Sequence, residues 1–230
     1  MKKQILTTIA LVSAIVLTPM ALQAERAVVT TLVGYVRVQP GGTGAWKNLK
    51  VKSIINSKDK IQTGPQSRLI IFFRGMEFRL GEKTTITVET LDPKKTALVK
   101  LQEGFTWFKV KDPTKLGVDV SSPTAVASVR GTKFSVSYDD KGTATCVCEG
   151  TIATKSPGSD ETQDVKKGFS RDFPADGDAQ TNDFTELFRG LKVDKEFQAV
   201  IDKDAKMKNC TMCHRMTDLA SDHSPDPTDY

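Results

Sequence analysis

Leu69-Ile70-Ile71-Phe72-Phe73-Arg74-Gly75-Met76-Glu77-Phe78-Arg79-Leu80-Gly81 is the stretch that decides the fold. Two short apolar and aromatic runs, 69–73 and 76–80, are separated by Gly75 and closed by Gly81. Runs this short and this rich in β-formers read as strands. Glycine enters a positive-φ turn without steric cost, so Gly75 and Gly81 fall at hairpin positions. Upstream, Ala27 to Val33 is β-branched and apolar, Gly34 interrupts it, and Tyr35 to Val38 alternates. Pro40 to Gly44 is a turn cluster, and Thr63-Gly64-Pro65 is a second turn. Downstream, strands are predicted at Thr84 to Val88, Ala97 to Leu101, Thr106 to Lys111, Val118 to Ser121, Lys133 to Tyr138 and Thr143 to Cys148. Many short strands at near-regular spacing give a mainly β protein. Periodicity does not supply the pairing, so sandwich, barrel and solenoid-like forms all remain open.

Residues 156–181 are polar and turn-rich and hold at most one further short strand, around Phe169 to Phe173. They read as the edge of the β domain followed by a linker. Beyond Thr181 the period changes. Asp183-Phe184-Thr185-Glu186 has the form of a helix N-cap with an acidic partner three residues on. Phe184, Leu187, Phe188 and Leu191 follow at helical spacing, and Phe197, Val200 and Ile201 form a second stripe behind Asp194. Both stripes are expected to pack against the β domain, and residues 221–230 to be irregular.

The N-terminus sets the compartment. Lys2 and Lys3 precede an apolar run from Ile5 to Leu17, and Leu22-Gln23-Ala24 offers a small residue for cleavage. That is the pattern of a secretory signal peptide, and the run is too short for a membrane span. Expected boundaries are therefore 1–24 signal peptide, 25–178 β domain and 179–230 helical tail. No membrane insertion is expected after cleavage. Removing Lys2 and Lys3 takes the formal charge from +5 to +3, too dispersed a surplus to argue for nucleic acid.

The chain has four cysteines, Cys146, Cys148, Cys210 and Cys213. Cys210-Thr211-Met212-Cys213-His214 is the attachment pattern for a c-type haem. On a helix these positions share one face, so two thiols can add to the two porphyrin vinyl groups while His214 becomes the axial ligand. The rivals are a Cys210–Cys213 disulfide and a zinc site drawing on all four cysteines. Cys146-Val147-Cys148 has too short a spacing for the usual zinc pair. Cys146 and Cys148 face one side of a strand, as buried small hydrophobes, a local disulfide or a redox pair. His223, nine residues past His214, is the candidate sixth iron ligand, with Met207 or an open position as alternatives.

The strand region resembles the FecR domain family over about residues 30–178. The resemblance is carried by Asp59-Lys60-Ile61-Gln62-Thr63-Gly64-Pro65, by the hairpin at 69–81, and by Ser122-Pro123-Thr124-Ala125-Val126-Ala127-Ser128-Val129-Arg130-Gly131-Thr132-Lys133-Phe134. Glu149-Gly150-Thr151-Ile152 and Lys167-Gly168 follow in the family's order. The family name comes from an inner-membrane sensor that relays a periplasmic signal to a sigma factor. Here a signal peptide stands where that sensor has its cytoplasmic segment and membrane helix, so anti-sigma signalling is not expected. The resemblance implies a β-rich module for binding or scaffolding in the periplasm or at the cell surface. Within it Arg130 is either a ligand contact or a structural charge paired with a group such as Glu149.

Two functions follow. One is periplasmic electron transfer by a mono-haem protein with covalent haem on Cys210, Cys213 and His214, passing electrons to a redox partner. The other is a FecR-like binding, sensory or scaffold module that engages an envelope component, with haem as sensor or structural group. With two histidines in the chain and no convincing nucleophile–base pair, no enzyme is expected.

Overall fold

The computed structural model describes residues 26–92, 94–111 and 117–183. The expected signal peptide, both helical stripes, Met207, Cys210, Cys213, His214 and His223 lie outside the described residues.

Seventeen strands form two sheets that share one member. In chain order they are β1 (Ala27–Val33), β2 (Val36–Gln39), β3 (Lys47–Asn48), β4 (Ile54–Ile55), β5 (Lys60–Thr63), β6 (Arg68–Phe73), β7 (Met76–Leu80), β8 (Thr85–Thr90) and β9 (Ala97–Val110). There follow β10 (Val118–Ser121), β11 (Val126–Val129), β12 (Lys133–Asp139), β13 (Gly142–Glu149), β14 (Thr151–Lys155), β15 (Gln163–Lys166), β16 (Phe169–Pro174) and β17 (Gln180–Asp183). Sheet A runs β4-β1-β6-β7-β9-β12-β13-β16-β17, all antiparallel. Sheet B runs β3-β2-β5-β8-β9-β10-β11-β14-β15, antiparallel except for the parallel β9–β10 pair.

From β10 onward the chain lays one hairpin in sheet B, the next in sheet A, and so on to β17. The result is a two-layer sandwich built up by winding, which joins two of the forms left open above. Both sheets keep edges, so it does not close into a barrel. A single core lies between them. From sheet A it takes the row Ile71, Phe78, Phe108, Phe134 and Val147. Phe108 stacks on Phe134 at 5.1 Å and meets Phe78 edge-on at 5.2 Å. Sheet B answers with Val36, Ile61, Ile86, Val99, Val120 and Ile152.

The Gly75 hairpin forms as predicted, β6 and β7 pairing Phe73 with Met76 across a two-residue turn, whereas Gly81, also expected at a hairpin, lies where the chain passes from β7 in sheet A to β8 in sheet B, two strands that do not pair with each other. Arg74 and Gly75 have φ of 51° and 77°, the doubly positive turn whose twist suits a hairpin. Two further expectations are corrected. The runs expected at Ala97–Leu101 and Thr106–Lys111 are one continuous strand, β9, which ends at Val110. Gly104, at φ 94°, bends that strand out of sheet B and into sheet A without a turn. The polar stretch 156–181 holds β15, the whole of β16 and the start of β17, rather than one short strand. These strands sit at the sheet ends, where one or both faces meet water, so their apolar content is low.

Candidate functional site: two clefts on one outer face

Alternation on sheet B sends every second side chain outward. Across the first half of that face the register aligns Asn48, Arg37, Gln62, Thr85 and Glu103. Arg37 donates from Nε and Nη2 to Gln62 Oε1 at 2.9 and 2.6 Å, and Gln62 Nε2 donates to Thr85 Oγ1 at 3.3 Å. The guanidinium also lies over the Trp46 ring at 4.5 Å, within cation–π range. A cleft of about 440 Å³ opens here, with Tyr35, Arg37, Gln62, Lys83 and Glu103 among its walls. Tyr35 is 54 % exposed and Trp46 36 %, so aromatic surface stands in water beside fixed charge. Thr63-Gly64-Pro65 forms its floor, held as Gly64 N–H donates to Tyr35 O at 2.8 Å and Lys83 N–H to Gly64 O at 3.1 Å.

A second cleft of about 440 Å³ lies further along the same face, lined by Thr96, Asp119, Ser128, Arg130, Thr151 and Asp164 among others. The register brings Asp119, Ser128, Ala153 and Asp164 into one row. Arg130, in the turn after β11, is exposed, and among the described residues no hydrogen bond or ion pair engages it. The expected pairing with Glu149 is corrected, because Glu149 bonds Lys133 across the β12–β13 hairpin. That lysine holds the Glu149 carboxyl below its ordinary range. An arginine facing two carboxylates across an open cleft can take a group presenting both acceptors and donors, such as a peptide backbone or a sugar.

The outer face of sheet A is different. Its central row is Arg79, Trp107, Ser135, Cys146 and Ser170. All five are buried, with exposures of 2, 1, 2, 4 and 4 %. Arg79 lies over Trp107 at 4.4 Å and bonds Glu77. Phe105 and Trp107 form a second apolar cluster against Cys148, separate from the inter-sheet core. Cys146 and Cys148 do share a face of β13, as expected. Cys146 is a buried thiol, but Cys148 is disulfide-bonded, which corrects the reading of the pair as two small hydrophobes. Among the described residues no group of three His, Cys, Asp or Glu side chains could hold a metal.

The chemistry of the Cys210, Cys213 and His214 set suits haem, but its geometry lies outside the described residues. Two thioether bonds there would need the Cys210 and Cys213 thiols both reduced.

Sequence reasoning found Arg130 and the cysteines. It missed Tyr35, Arg37 and Trp46 as one surface, although the outward alternation of Tyr35 and Arg37 beside core-facing Val36 was a usable signal.

Residues 59–153 match the family model described as FecR protein. No curated protein matches. Two crystal structures of a candidate anti-sigma factor from Parabacteroides distasonis ATCC 8503, at 1.65 and 2.50 Å resolution, are similar to this chain. They share 19 and 18 % identity, cover 65 and 64 % of this chain and 74 and 73 % of their own, and each has a TM-score of 0.48. Among the described residues no helix is long and apolar enough to cross a membrane.

Proposed function

We propose that this protein is an exported FecR-like binding module of the bacterial envelope, with the outer face of sheet B as its partner surface. The observation that carries this reading is Arg130. It sits in the Val129-Arg130-Gly131-Thr132 segment inside the matched region, exposed, outside any ion pair among the described residues, and in a cleft with Asp119 and Asp164. Its exposed guanidinium can bind acceptor groups of a partner that enters the cleft. FecR-family proteins are regulatory rather than enzymatic as a rule, and they work with envelope partners. The test is site-specific photocrosslinking in the exporting host. A crosslinker at Ser128 should capture one discrete envelope component, and Arg130→Ala should abolish that capture without lowering Tm. Equal capture by the Arg130→Ala variant would sink the reading.

A second reading rests on the pentapeptide at 210–214. Haem would be held by Cys210 and Cys213 with His214 on the iron and His223 as sixth ligand, and it would supply a centre for one-electron exchange or small-ligand sensing. The chain's own part is to keep both thiols reduced until attachment and His214 neutral for the iron. A visible spectrum of protein exported alongside haem-attachment machinery tests it. A low-spin c-type spectrum that turns high-spin in His223→Ala supports the full ligand set, and a colourless protein contradicts it.

A further inference from the structure

We infer that the first cleft on the outer face of sheet B, between Tyr35, Arg37 and Glu103, binds an uncharged glycan a few linked pyranose rings long. The inference shares a face with the proposed partner surface but uses no residue of the Arg130 cleft.

It starts from how the cleft spaces its charges. The row Arg37, Gln62, Thr85 and Glu103 crosses β2, β5, β8 and β9. Three strand spacings put the cation and the anion about 14 Å apart, too far to pair with each other. Among the described residues neither joins an ion pair. Of the five N–H donors of Arg37, two are spent on Gln62 Oε1. The cleft therefore offers unspent donors at one end, carboxylate acceptors at the other, and a neutral amide and hydroxyl between them. A hydroxyl group both donates and accepts, so a polyol satisfies both ends at once.

The second observation is the aromatic surface. The Tyr35 ring lines the cleft, and Trp46 adjoins it through Arg37. Both rings are partly open to water. A ring face is electron-rich, and the C–H face of a pyranose is its complement. At about 440 Å³ the cleft falls in the range of small-ligand sites.

The third is that the walls are fixed before any ligand arrives. Tyr35 N–H donates to Ser67 Oγ at 2.8 Å, and Tyr35 O accepts from Gly64 N–H at 2.8 Å. Thr63 Oγ1 donates to Gly81 O at 2.6 Å. Lys83 holds a positive φ of 50° while its N–H donates to Gly64 O, a conformation that the surrounding bonds impose. Arg37 is held in plane by Gln62 and covered by Trp46. A rigid site loses little entropy on binding.

Other ligand classes fit less well. A polyanion would be repelled by Glu103 at one end of the row. An extended peptide adds at a sheet edge, where backbone groups are open, whereas this row crosses four paired strands.

The test is isothermal titration of the full exported protein with chitotetraose, cellotetraose and maltotetraose, and with dextran sulfate as the polyanion. At least one neutral tetrasaccharide should bind saturably, with an affinity unchanged between about 0.05 and 0.5 M salt. Trp46→Ala and Arg37→Ala should each weaken binding at least tenfold with Tm unchanged, and the sugar should protect Trp46 and Tyr35 from oxidative footprinting. Arg130→Ala should bind the sugar as the parent does, even if it loses its envelope partner, so the two readings fail separately. Failure of all three sugars to bind would overturn the inference. Binding of dextran sulfate alone would overturn it in favour of a polyanion site, and loss of sugar binding in Arg130→Ala would overturn the assignment to this cleft.

Discussion

Each outer face carries one arginine stacked on one tryptophan, and the two pairs have opposite fates. Arg79 over Trp107 on sheet A and Arg37 over Trp46 on sheet B are separated by 4.4 and 4.5 Å. Yet Trp107 is 1 % exposed and Trp46 36 %. The same contact is therefore a sealed structural element on one side and open surface on the other. A closed pair contributes to folding, because its ring is desolvated and its charge is answered by Glu77. An open pair adds little to stability and leaves a rigid aromatic and a fixed cation available, the combination that recognition surfaces favour.

Substitution of the two tryptophans should break this symmetry most visibly. Trp107→Ala should cost about 3–5 kcal/mol, as for a fully buried large side chain. Trp46→Ala should cost under about 1 kcal/mol. Urea denaturation of both variants checks this, and similar losses would mean that the two faces do not differ.

Gly104 links the faces, because β9 crosses between the sheets there. A Cβ at that position would meet Thr84 Cα at 2.6 Å and Lys83 O at 2.7 Å. Gly104→Ala is expected to cost about 2–4 kcal/mol from positive-φ strain plus overpacking. Gly75→Ala, with nothing within 4 Å, should lose only about 1 kcal/mol. Thermal melts of the pair separate strain alone from strain with a clash.

Arg130→Ala sharpens the open side. With no partner among the described residues, it should change stability by less than about 0.5 kcal/mol while removing partner capture. The smallest effect is expected at Glu149, which is bonded to Lys133 but 59 % exposed at its side chain. Its pKa is lowered in the fold, so its contribution is present above the ordinary carboxylate range and is lost as pH falls through the lowered value. Glu149→Gln should cost under about 0.5 kcal/mol at neutral pH and nothing in acid, read from denaturation midpoints at the two pH values.

The strands with a buried face were legible. Met76–Leu80 and Val118–Ser121 have the predicted bounds, because their apolar residues alternate or run unbroken. Gln163–Lys166 and Gln180–Asp183 were not, since they lie near the sheet ends and bury a single residue, Val165, between them. The break expected before Thr106 was a misreading of Gly104: a glycine that bends a strand looks the same in sequence as one that ends it. At the site, Arg130 was visible from its segment but its neighbours Asp119 and Asp164 were not, because the row they share is set by pairing across four strands.

The most direct test is hydroxyl-radical footprinting of the intact exported protein with residue-level mass spectrometry. One face closed and the other open predicts rapid oxidation of Trp46 and Tyr35 and strong protection of Trp107 in the same molecule. Comparable oxidation of Trp46 and Trp107 would contradict the account.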